Sequence, residues 1–118
     1  MEILSYKDLT VWQKSIDLTV KIYEITEKFS KNELYGLTSQ MRRAAVSIAS
    51  NIAEGKARGT RKDYRHFLIM AYGSWAELET QIEIAKKLKF TQESSYHKAD
   101  ALLEEVMKML NVLIRKLD

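Results

Sequence analysis

The run KARGTRKDYRH, from Lys56 to His66, holds the densest group of side chains in this sequence that could do chemistry. Lys56, Arg58, Arg61, Lys62 and Arg65 stand there against a single acid, Asp63, and arginine outnumbers lysine. A guanidinium presents a planar fork of N–H donors that fits phosphate oxygens in pairs, whereas an ammonium acts as a point charge. The pattern therefore suits recognition of a polyanion better than bond making. Tyr64 and His66 are interleaved with the cations and carry rings able to stack on an unpaired base, although Tyr64 also falls on an apolar helical stripe. The plain alternative is a solubilising link between two helices.

Catalytic chemistry has little to draw on. The histidines, His66 and His97, lack the HExxH or ExxH spacing that sets two metal ligands on one helix face. Glu79 and Glu83 lie four apart, but di-metal bundles use inward Glu-x-x-His pairs, and none occurs. They read as a solvated face. Gly55 and Gly59 are too few for a phosphate loop and follow a helix, not a strand. With no cysteine, thiolate and disulfide chemistry is excluded. A non-enzymatic protein without metal or cofactor is expected.

These residues must be held by helices. Proline is absent and there are four glycines among 118 residues, a composition that points to an all-α chain. Ser5 and Asp8 have capping-box spacing, and behind them two apolar stripes run side by side: Leu9, Trp12, Ile16, Val20, Tyr23, and Val11, Leu18, Ile22, Ile25, Phe29. An arc this wide fits contact with two bundle neighbours, or with one neighbour and another subunit. The first helix should end near Phe29, with Ser30 and Glu33 offering a cap for the second. Leu37, Met41, Ala44, Ile48 and Ile52 make a narrow face of small and medium apolar groups along that helix, flanked by Ser47, Ser50, Asn51 and Glu54. It should end near Ala53 or Lys56, where Gly55 and Gly59 supply turn chemistry.

Thr60 and Asp63 cap a third helix whose apolar face is Tyr64, Phe67, Ala71, Trp75, Leu78, Ile82 and Ala85, ending near Leu88 beside Lys86, Lys87 and Lys89. Thr91 is the expected cap of a fourth. There Tyr96, Ala99, Leu103, Val106, Leu110, Leu113 and Leu117 recur at alternating spacings of three and four. Four such helices on short links should form one domain, residues 1–118, as an antiparallel up-down-up-down four-helix bundle. That topology gathers both termini and the link between the second and third helices at one end, so Arg115, Lys116 and Lys7 should join the basic run. Arg42 and Arg43 lie about 20 Å away by helical rise. They either pair with glutamates of a neighbouring helix or face another copy.

The net charge is +3, but residues 31–66 alone sum to +5. A concentrated patch attracts an anionic partner even when the global charge is small. No apolar stretch approaches the roughly 18 residues of a membrane span, and the start MEILSYKDL has no basic segment leading into an apolar run. The chain is expected in the cytoplasm.

The string ELYGLTSQMRRAAVSIASNIAEG closely resembles the central signature of the bacterial four-helix-bundle family of 23S rRNA-intervening sequence proteins. YKDLTVWQKSIDLTVKIYEIT, GSWAELETQIEIAKKL and MLNVLIRKL are similar to their counterparts there. The family usually carries a proline where this chain has Ala49, so the second helix should be straighter than is usual for it. The resemblance implies a homopentameric ring around a channel, and it extends to the accessory variability protein of diversity-generating retroelements, which binds nucleic acid together with a reverse transcriptase. Val11, Leu18, Ile25 and Trp75 are the interface candidates read from surplus apolar area. The expected function is RNA or DNA binding with low sequence specificity through Lys56, Arg58, Arg61, Lys62, Arg65, Arg115 and Lys116, with Arg42 and Arg43 as further contacts. The alternative is an adaptor whose basic patch recognises an acidic protein. A helix-turn-helix made of the second and third helices is disfavoured, because the apolar third helix leaves few side chains to read bases.

Overall fold

The structure, a computed structural model, describes residues 5–118. Met1–Leu4 of the expected domain lie outside the described residues. Four helices follow one another: α1 (Thr10–Glu27), α2 (Leu37–Arg58), α3 (Arg61–Lys87) and α4 (His97–Lys116). Short 3-10 turns precede α1, α2 and α4, at Tyr6–Asp8, Lys31–Glu33 and Glu93–Tyr96. The Ser5–Asp8 capping box is present, but it caps the first of these turns, and Ser30 caps the second by accepting from the Asn32 N–H. Thr91 caps nothing; Gln92 begins the third turn, and α4 has no side-chain cap. The expected helix starts are therefore displaced by 3-10 turns of three or four residues. Those turns absorb the cap signals while lowering the count of backbone donors left open at each helix start.

The helices run antiparallel in sequence order. Thr19 Oγ1 on α1 donates to the Ala45 carbonyl on α2, and Ser47 and Ser74 share a hydroxyl hydrogen bond of 2.9 Å across α2 and α3. Lys14 pairs with Glu105 at 3.1 Å between α1 and α4. Each helix contacts the next, and α4 closes the square against α1, with α2 and α3 making the most extensive contact. These two lie along one another, which is not the crossing of a helix-turn-helix. The core takes one stripe from every helix, including Leu18, Ile22, Ile48, Ile52, Leu68, Leu78, Val106 and Leu110. Trp75 sits at its edge, its indole N–H donating to the Leu103 carbonyl at 2.7 Å.

Of the two apolar stripes on α1, the one through Val11, Leu18, Ile22 and Ile25 is inside, whereas Ile16, Val20 and Tyr23 are 37%, 51% and 43% exposed. This corrects the interface candidates: Val11, Leu18, Ile25 and Trp75 are all core residues. α2 is unbroken through Ala49 to Arg58, past its expected end near Ala53 or Lys56. Gly59, at φ 85°, is the left-handed residue that stops it, and Gly55 is a buried helical residue rather than a turn glycine. A Cβ at Gly55 would stand 2.7 Å from the Phe67 Cβ, so the absent side chain is what lets α3 approach α2 here.

Candidate nucleic-acid interface

Thr60 follows Gly59 directly and accepts from the Asp63 N–H, so α3 starts at Arg61, immediately after the turn. The two-residue link and the antiparallel return of α4 bring Lys56, Arg58, Arg61, Lys62 and Arg65 to one end of the bundle with Arg115 and Lys116. The turn bearing Lys7 also packs on α2 and α1 there.

Each cation has a particular setting. Arg58 bonds Glu54 at 2.9 Å and lies 5.0 Å over the Phe67 ring; the hydrogen bond to Glu54, with the charges of Glu54 and Asp63, holds its guanidinium above the ordinary arginine value. Lys56 Nζ is 5.3 Å over the Tyr64 ring. Tyr64 is half-buried, its hydroxyl is enclosed, and burial pushes its phenol up, so this ring is not offered to a ligand. Arg65 donates from Nε to the Ile114 carbonyl at 3.3 Å and pairs through Nη2 with Asp118 at 2.7 Å. Arg61 donates to the Lys116 carbonyl, and Arg115 reaches the Asn111 carbonyl at 3.4 Å. Arginines of α3 thus satisfy end carbonyls of α4, where positive charge also favours the helix dipole. Lys62 and Lys116 are exposed and form no ion pair among the described residues.

Arg61, Lys62, Arg65, His66, Ile69, Leu117 and Asp118 line a shallow groove between the start of α3 and the end of α4. Ile69, Leu117 and Asp118 carry no cation and were not legible as site residues; only their proximity across two helices brings them in. Arg42 and Arg43 are not part of this surface. Arg42 donates from Nε to Thr26 Oγ1 at 2.9 Å, pairs with Glu27 at 3.3 Å and covers the Tyr23 ring at 4.5 Å. It pins α2 to the end of α1. Arg43 is exposed beside the groove of Tyr23, Leu34, Tyr35 and Val46, away from the basic end.

The family model for the 23S rRNA-intervening sequence protein matches residues 7–112, nearly the whole bundle. The chain belongs to that family. As a 23S rRNA-intervening sequence family member it is similar in fold to a crystal structure of a protein of unknown function from the S23 ribosomal protein family of Bacteroides thetaiotaomicron. The TM-score is 0.80 at 24% identity, covering 89% of this chain and 98% of that one. No curated protein matches the chain. Among the described residues of this family member, no group of three or more metal-ligating side chains comes together, and no helix is long and apolar enough to cross a membrane. Glu79 and Glu83 are exposed, and Glu83 faces Lys86 at 3.8 Å, a solvated ion pair.

Proposed function

We propose that this chain is a non-enzymatic, cytoplasmic, homo-oligomeric bundle that binds RNA or DNA with low sequence specificity. The observation that carries the reading is the convergence of Lys56, Arg58, Arg61, Lys62 and Arg65 with Arg115 and Lys116 on one end of the molecule. A phosphate chain needs such a surface and little else, because its affinity comes mainly from charge neutralisation and counterion release.

Oligomerisation is supported by Ile16, Val20 and Tyr23, a stripe of α1 that the bundle leaves outside, with Val46 across the groove from Tyr23. A pentamer requires a head-to-tail contact that joins two different faces of the chain, and this stripe serves as one of them.

The test is fluorescence anisotropy with a labelled RNA hairpin across a salt series. Replacing Arg58, Arg61, Lys62 and Arg65 together would also remove the carbonyl partners of the α4 end, so that change reads stability and binding at once. Lys62→Ala with Lys116→Ala removes charges that hold nothing. Each should make the slope of log affinity against log salt shallower by roughly 0.7 to 0.9, with circular dichroism unchanged. No affinity for either nucleic acid would overturn the proposal and leave an acidic protein as the partner for this end.

A further inference from the structure

We propose that the nucleic acid taken at this end is an unpaired strand, with one base seated on His66 and Ile69 and the adjoining phosphates on Arg61, Lys62 and Arg65. This deepens the nucleic-acid reading and rests on it. Lys62, His66 and Ile69 follow one another at helical spacings on α3, so they form a row along one side of the groove, with Arg61 and Arg65 in the next row toward α4. A surface that bound phosphate alone would gain nothing from apolar groups, yet this groove sets exposed Ile69, 44% accessible, and Leu117 among its cations. His66 is exposed as well, and its ring packs at 75° to Phe67 with centroids 5.5 Å apart, which limits the orientations the imidazole can take.

A duplex keeps its bases stacked inside and offers a shallow surface its phosphates and sugars, leaving Ile69 and His66 to lose water for no partner. Groove insertion by α3 is not available, since the helix is packed lengthwise against α2 and α4. An unpaired strand turns its bases outward and can set one on a ring and a branched aliphatic while the backbone follows the cations. Of the two rings in the basic run, Tyr64 is covered by Lys56 and half-buried, so His66 is the one left to stack. Asp118, paired to one terminal nitrogen of Arg65, bounds the site beyond that arginine, whose remaining donors stay on the side of Arg61 and Lys62.

The experiment compares a labelled oligo(U) with a blunt RNA duplex of the same length, both bound to the full chain at one salt concentration. The single strand should bind more tightly, and His66→Ala should lower its affinity by roughly 5- to 150-fold, the factor that one stacked base contributes, narrowing the preference over duplex. Ile69→Ser should narrow it further, and His66→Phe should retain it, because a phenyl ring stacks without charge. Equal binding of strand and duplex, an unchanged ratio in His66→Ala, or a His66→Phe that falls as far as the alanine variant would each overturn the unpaired-strand inference while leaving nucleic-acid binding in place. Binding of neither probe overturns both. Circular dichroism of each variant separates a lost contact from a lost fold.

Discussion

Arg65 gives Nε to the Ile114 carbonyl and Nη2 to Asp118, yet a guanidinium has five N–H donors and can still serve a phosphate oxygen. Structural duty and ligand binding are thus compatible in one side chain, which is why Arg61 and Arg65 remain in the site although both hold α4. Tyr96 shows the opposite economy. Its ring is fully buried and its hydroxyl meets no hydrogen-bonding protein group. Burial first, and the charge of Asp100 second, push its phenol above the usual tyrosine value. Below about pH 10 the folded and unfolded chains both carry the neutral phenol, so the cost of the unpartnered hydroxyl there does not vary with pH. Above that, the unfolded chain ionises first and stability falls as pH rises through the folded value. Tyr96→Phe should therefore stabilise the bundle by about 1 kcal/mol at neutral pH and reduce the alkaline loss, with Tyr64 still contributing its share. Urea unfolding at neutral and alkaline pH reads both effects; a destabilised Phe variant would mean that the hydroxyl has a stabilising role.

At the scale of the helix, two glycines make a controlled pair. Gly73 in α3 has open space where a Cβ would go, so Gly73→Ala should stabilise by roughly 1 kcal/mol through helix propensity. Gly55→Ala gains the same propensity, but its methyl meets the Phe67 Cβ at 2.7 Å and the Tyr64 carbonyl at 3.2 Å. Overpacking costs roughly 1–3 kcal/mol, so the net change should be destabilising, as thermal unfolding would show. The pair also marks what could be read in advance. Four amphipathic periods locate four helices because burial imposes the 3.6-residue repeat on the sequence, and Gly59 was legible because a left-handed turn after a helix favours glycine. Gly55 was not, since a glycine required by a neighbouring backbone looks like one required by φ. Nor could the inner stripe of α1 be told from the outer one, both being equally apolar. The basic end followed from topology. Its bonds to the Ile114 and Lys116 carbonyls did not, because any residue supplies a carbonyl and no residue type marks the spot.

The bundle measures 49 × 24 × 23 Å along its principal axes, with the basic groove at one end and the exposed α1 stripe along a side. The stripe and the groove are separate surfaces, so a ring whose second contact also avoids the groove would repeat it around one rim. Sedimentation equilibrium should give about five times the 13.7 kDa chain mass, and Val20→Lys, at a half-exposed position, should return the monomer with its helicity intact. A wild-type monomer at micromolar concentration would remove the ring. The pairing of α2 with α3 carries a consequence of another kind. Two long helices joined only by Gly59 and Thr60 can find each other with almost no loop to close, and their interface is the most extensive in the molecule. In kinetic terms this hairpin should supply the folding nucleus, which stopped-flow refolding of variants reads. A truncation such as Ile52→Val on α2 should slow refolding, while Val106→Ala on α4 should act on the rate at which the finished bundle comes apart.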